Sequence, residues 1–407
     1  MTYTEIFDEV VSIMKTDSAT CRDIPGDDPA LYRAKIAPDM PEEEFIRLVQ
    51  DYLISFGFRG HLEFFSEKRI KEAGRIPVAV ERYGNALYVT KAAEDSAFVP
   101  GDRIVALDGL GIEDAAEKYK KYLCGEAPER QGFYWGFLLG SVSSCTVIRR
   151  TDGTREELPL TRSNAPFPQK DFSFLMLKED IAYLYLPRFD KKDCVKELIE
   201  PHKKELRRAR ALIIDVRGNV GGNSGEYVCL FPYCFPQGKK EYPIYDCAVC
   251  ETNYTQRNCA LKSKAMEEYG MSPRSVENCR NKSGQGFVRE FDSPYGKVRG
   301  RKTPEKIVIL TDSRCASSGD SLVAQMRVSP KVTVIGRPTA GANDYTECCM
   351  QELGEFTLQY PIKRSLLIDR SEGRMHKGEP VDILIPWTPE HIERDVDLER
   401  AMEMLKS

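Results

Sequence analysis

Apolar residues near the start of the chain recur at close to a 3.6-residue period. Ile6, Val10, Val11 and Ile13 or Met14 share one face, which predicts a helix opening at Thr4 and Glu5. A second helix is predicted after Pro41, over EEEFIRLVQDYLISF. Its acidic first turn complements the positive end of a helix dipole, and Phe45, Ile46, Val49, Tyr52 and Leu53 line its apolar side. The following GFRGHLEFFSE reads as a turn into a strand. Further on, the period changes. Short alternating runs (IPVAVERYG, ALYVTKAA, RIVALDG) are punctuated by turn signals such as Pro100-Gly101-Asp102 and Asp108-Gly109. One helical piece, IEDAAEKYKKYL, lies among them, and a hairpin is predicted about Asp152-Gly153.

The pattern shifts again in the second half. IAYLYLPRF, ALIIDVRGN, EKIVILTD and KVTVIGR are continuous apolar runs, of the kind that strands buried on both faces show. KKDCVKELIEPHKKELRRA and SSGDSLVAQMR read as helices between them. Strand–helix–strand order predicts right-handed crossovers within one parallel sheet. Residues 231–300 show no clear period and read as an irregular insertion. The expected organisation is a helical part over 1–74, a small β-rich module over 75–165 and an α/β core over 166–407.

Composition narrows the function classes. The chain has 407 residues, with 59 Lys+Arg against 63 Asp+Glu, a formal net charge of −4. No global basic field exists to drive nucleic-acid binding by counterion release. No apolar run is long enough to span a bilayer. MTYTEIFDEVVSIMKTD lacks a basic, then apolar, leader pattern, so a cytoplasmic location is expected. The 13 cysteines are odd in number and irregularly spaced, which suits reduced thiols. Cys247-x-x-Cys250 with Cys259 and Cys279 offers a zinc clip, but no second C-x-x-C follows, and thiols are preferred. No metal or other cofactor is expected.

Two stretches at the carboxyl ends of predicted buried strands carry candidate chemistry, since α/β sheets place ligands there. The first, Asp215-Val-Arg217-Gly218-Asn219-Val-Gly221-Gly222-Asn223-Ser224, runs from a strand into a glycine-rich turn. Its main-chain N–H groups are able to face a developing oxyanion. The plainer reading is a tight turn with Asp215 and Arg217 paired. The second, Thr311-Asp-Ser313-Arg-Cys315-Ala316-Ser317-Ser318-Gly319-Asp320, also ends a strand and opens a helix. A serine there is exposed at the sheet edge; the plainer reading is helix capping by Ser317 with Asp320, or by Ser313.

Together the two stretches resemble the tail-specific, or C-terminal-processing, serine protease family, which includes the tricorn protease core. FVPGDRIVALDG is similar to that family's PDZ segment, and GEPVDILIP to its closing segment, with Asp382 displaced by one position. The resemblance spans roughly residues 75–400. It implies a crotonase-like α/β core carrying a PDZ-like module, and peptide-bond hydrolysis through an acyl-enzyme. Ser317 stands at the family nucleophile. Ser318 N–H and that of Gly221 or Gly222 stand at the oxyanion hole. The Ser–Lys branch of the family has a lysine at the level of Ala342, within Thr339-Ala-Gly-Ala342-Asn343, and none is present here. Gly60-His61 resembles the base motif of the tricorn-like branch, with Arg59 where that branch has aspartate.

Of four histidines, His61 is therefore the expected general base and His376 the runner-up, while His202 falls in a charged helix and His391 near the C-terminal helix. A base needs an acceptor to orient it, and by resemblance Glu372 is expected there, with Glu379 as alternative. The expected partner is a peptide or unfolded protein. The contrasting reading is a catalytically inert relative that binds peptides or apolar ligands in the same cleft. A hydrolase of non-peptide esters is a further option, because fold does not fix substrate.

Overall fold

The computed structural model describes all residues except Arg59, Glu179, Asp292 and Ser407. Its centre is a six-stranded sheet in the spatial order Ile383–Leu384, Val332–Gly336, Lys306–Thr311, Ala211–Asp215, Ile181–Tyr185, Ser173–Lys178. The first five run parallel, and only the pairing of the last two is antiparallel. The four apolar runs of the second half are these inner strands. Alternate side chains feed two cores, as the strand period requires. Leu212, Ile214, Ile307 and Ile309 face one side. Ala211, Ile213, Val308 and Leu310 face the other, beneath the C-terminal helix Val396–Leu405. The expected single helix over 191–209 is broken at Pro201-His202 into Cys194–Ile199 and Lys203–Arg208, because proline cannot donate into a continuing helix.

A second sheet orders Val78–Tyr83, Ala86–Ala92, Arg103–Leu107, Ser144–Ile148 and Arg155–Pro159 around its own core, with Trp135 fully buried. Helix Gly132–Leu139 packs against the edge strand Val78–Tyr83.

The N-terminal helices form as the period indicates, at Tyr3–Thr16 and Glu42–Ile54. The first is capped by Thr2 rather than opened at Thr4: Thr2 Oγ1 accepts from Glu5 N, and the Glu5 carboxylate accepts from Thr2 N at 2.7 Å. These helices do not close on themselves. Ile6, Val10, Phe45, Val49, Tyr52 and Phe64 share a core with Tyr345, Leu358, Tyr360 and Ile362 from the far end of the chain. The short strand Glu63–Phe65 pairs antiparallel with Phe356–Ser365, in a sheet that also holds Tyr345–Leu353, Cys250–Tyr254 and Gly286–Arg289.

Residues 231–300, expected to be irregular, fold into regular elements. They include helices Gln256–Glu268 and Pro273–Arg280 and strands that join two sheets. The helical face there is narrow and polar, so its period is hard to see. The chain's 13 cysteines are free thiols. Cys259 and Cys279 pack on Tyr254 between these two helices, away from Cys247 and Cys250 in the cavity wall. No helix among the described residues is long and apolar enough to cross a membrane.

Candidate active site

Strand Lys306–Thr311 ends in the turn 312–317, and helix Ser318–Met326 begins directly after it. Ser317 occupies the N-cap position with φ 57° and ψ −117°, a sparsely populated conformation for a residue with a Cβ. Its side chain makes no capping bond. The capping alternative is therefore not realised, and Asp320 points elsewhere. The turn is held by its neighbours. Asn219 O accepts from Ala316 N at 2.8 Å, and Asn343 Nδ2 donates to Ser317 O at 2.9 Å. Cys315, two residues before the serine, is fully buried, and burial pushes its thiol well up.

The glycine-rich turn lies against the serine. A Cβ on Gly221 would stand 2.6 Å from Ser317 Cβ, and one on Gly222 would stand 2.2 Å from Phe189 O, so both positions exclude any side chain. The two glycines differ as donors. Gly221 N–H already donates to Asn219 Oδ1 at 2.8 Å. No hydrogen bond is recorded for Gly222 N–H among the described residues. Ser318 is the first residue of its helix, so its N–H has no acceptor within the helix. Its hydroxyl donates to Gly222 O at 2.5 Å, which ties the two turns together. Arg217 pairs with Asp215 at 2.6 Å, and also with Asp395 at 2.6 Å and Asp397 at 3.1 Å. It fastens the C-terminal helix to the sheet.

His61 reaches the same cavity from the N-terminal segment. That cavity has a volume of about 1420 Å³, and Ser317, Ser318, Gly222, His61 and His376 all line it. His61 Nδ1 lies 2.7 Å from Tyr345 O and 3.1 Å from Ala342 O. Both partners are acceptors, so Nδ1 carries the proton and Nε2 is left with a free lone pair. Burial lowers the His61 pKa from its ordinary value, and the two carbonyls only partly oppose that. Arg59, the position at which the motif departs, lies outside the described residues.

His376 is held differently. Its Nδ1 stands 3.1 Å from Glu126 Oε1, and Arg130 Nε donates to Glu126 Oε2 at 2.8 Å. Glu126 and Arg130 come from the β-rich module. Arg130 also donates to the carbonyls of Thr339 and Ala340, both at 3.0 Å. Arg314, in the turn that carries Ser317, reaches the same module by donating to Val80 O at 2.7 Å and Glu81 Oε1 at 2.8 Å.

Neither expected orienting acid meets His61 in a recorded contact. Glu372 is exposed and pairs with Arg370 at 3.2 Å. Glu379 is buried, pairs with Arg374 at 3.3 Å and has a raised pKa owing to that burial. The acceptors are main-chain carbonyls, which leave no trace in residue identity. Sequence reasoning also missed Asn219, whose place inside the glycine-rich motif was a usable signal. It missed Asn343 and Arg130 as well, for which no signal existed. Among the described residues no group of three or more His, Cys, Asp or Glu is arranged to hold a metal ion.

Comparison with known proteins bears on this geometry. A search of curated proteins returns no match. Among solved structures, mature CPAF complexed with lactacystin is 14% identical, with a TM-score of 0.66, over 99% of this chain and 97% of that one. Mature CPAF alone is 13% identical, with a TM-score of 0.60, over 96% of this chain and 94% of that one. At such identities the likeness is one of fold. The family profile "Peptidase family S41" matches residues 180–383, which hold both turns and the inner strands. By that match, the chain belongs to peptidase family S41.

Proposed function

We propose that this protein is a serine peptidase that cuts unfolded or C-terminal peptide segments through an acyl-enzyme on Ser317, with His61 as general base. The observation that carries the reading is the shared setting of the two residues. A strained serine at a strand-to-helix turn and a histidine with its Nε2 lone pair free line one cavity, and the segment 342–345 bonds to both. A serine hydroxyl is a weak nucleophile until a base takes its proton. His61 Nε2 accepts that proton as Ser317 Oγ attacks the scissile carbonyl carbon. The resulting oxyanion is met by Gly222 N–H and Ser318 N–H, the latter at the positive end of its helix. The C–N bond then breaks, and the imidazolium returns its proton to the leaving amine. Water, deprotonated by the same nitrogen, hydrolyses the ester and frees Ser317.

On this reading the core is crotonase-like, and the β-rich module is PDZ-like. Its edge strand Val78–Tyr83, beside helix Gly132–Leu139, would take an extended peptide by strand addition. The orienting acceptors for His61 are carbonyls, not Glu372 or Glu379. The cavity exceeds the ~300–1,000 Å³ of small-molecule pockets, which suits an extended chain.

A fluorophosphonate probe and a fluorogenic unfolded protein test the assignment together. The native protein is expected to label stoichiometrically at Ser317 and to hydrolyse the substrate. Ser317→Ala should lose both, with hydrolysis down by at least about 10⁴-fold. Peptide binding without labelling or turnover would instead identify an inert binding relative. Full hydrolysis by Ser317→Ala would sink the proposal.

A further inference from the structure

We propose that Asp320 is a positioning residue of this site: its carboxylate grips the Gly341–Ala342 main chain so that the Ala342 carbonyl holds the His61 ring. The inference rests on the assignment of Ser317 and His61 above. An aspartate in the first turn of a helix ordinarily serves its own helix end. Here the carboxylate turns away to a separate loop. Oδ1 accepts from Gly341 N at 2.8 Å and Oδ2 from Ala342 N at 3.3 Å, and the Thr339 hydroxyl bonds to the same carboxylate. Gly341 has φ 78°, which turns successive N–H groups toward one side, the arrangement that receives an anion.

The gripped loop is the piece that joins base to nucleophile. Ala342 O lies 3.1 Å from His61 Nδ1, and Asn343 Nδ2 donates to both Ser317 O and Ser321 Oγ at 2.9 Å. Asp320 sits on the nucleophile's helix, three residues past the serine. One carboxylate thus sets the spacing between the serine's helix and the imidazole's acceptor.

Asp320 is 1% exposed and has no ion-pair partner among the described residues. The groups facing it are the Cys315 thiol from the preceding turn, the Thr339 hydroxyl and the Glu379 carboxylate, with Arg374, Arg327 and Asp344 beyond Glu379. Burial, with a further push from Glu379, raises its pKa to about 7, against the loop's hydrogen bonds. Protonation below that point removes charge from the acceptor of two N–H groups and slackens the loop. His61 alone, its pKa lowered from 6.5, would give an acid limb below 6.5.

The test is the pH dependence of fluorophosphonate labelling at Ser317 and of kcat and KM, in the native protein and in Asp320→Asn. The native protein should show an acid limb near pH 7. Asp320→Asn should lower kcat about 10- to 100-fold with KM nearly unchanged, and should move the limb below 6.5. An unchanged kcat and limb in a folded Asp320→Asn protein would overturn the inference and leave the peptidase assignment standing. If that variant does not fold, the native profile and Glu379→Gln decide. A native limb below 6.5, or one that disappears in Glu379→Gln, overturns it; a native limb near 7 that persists in Glu379→Gln, shifted somewhat downward by the lost Glu379 charge, upholds it. A native protein that neither labels nor hydrolyses overturns both readings.

Discussion

The proposed nucleophile and the proposed base are built in opposite ways. Ser317 stands on a turn whose supports are close at hand: the end of Lys306–Thr311, the neighbouring turn after Ala211–Asp215, and the helix it opens. Parallel strands bring those turns to one sheet edge, and the glycines let them touch. His61 stands on a short segment with little structure of its own. It is placed by the pairing of Glu63–Phe65 with Phe356–Ser365 and by carbonyls of a loop that leads into Tyr345–Leu353. The serine's half is a property of the sheet. The histidine's half is a property of long-range docking, and it should be the softer of the two.

Three substitutions break or sharpen this contrast. The largest effect should come from His61→Ala, which removes the proposed base while its surroundings stay docked. Hydrolysis should fall by about 10³- to 10⁴-fold, with the melting temperature nearly unchanged. Retention of activity would move the base elsewhere. Next is Phe64→Ala, aimed at the docking alone. Phe64 is fully buried, stacks on Phe356 at 5.1 Å between ring centroids and meets Phe45 edge-on at 5.8 Å. Its truncation should cost about 3–5 kcal/mol. Hydrogen exchange should then open the His61 segment, while Lys306–Thr311 keeps its protection. Equal loosening of both regions would erase the distinction. The smallest effect belongs to His376→Ala. Its ring is engaged by Glu126 of the β-rich module, so the rate should change by less than about 10-fold. A loss as large as that of His61→Ala would make His376 the base.

The same contrast explains what was legible beforehand. The inner strands carry their burial in their own letters, as in ALIID and KIVILT, and every residue of Ala211–Asp215 is buried. The meeting of Ser317 with Gly221 and Gly222 was legible because local motifs build that half of the candidate site. Which glycine donates was not visible, since it depends on where the Asn219 side chain lies. The partnership of residues 1–65 with 345–362 was hidden, because a helix's apolar face does not state what it will cover. Glu372 is expected on resemblance alone. In the structure it sits on an exposed turn, and carbonyls, common to all residue types, do the orienting.

The acceptors of His61 lie 281 and 284 positions further along the chain. During synthesis the imidazole therefore emerges long before anything exists to hold it. At about 5–20 residues per second the interval is tens of seconds. The glycine turn and then the serine leave the ribosome within that time, yet the base stays unanchored until the hairpin 345–365 follows them. On the proposed assignment, the order of translation acts as a safety catch: a nascent or prematurely terminated chain carries its nucleophile but no seated base to fire it.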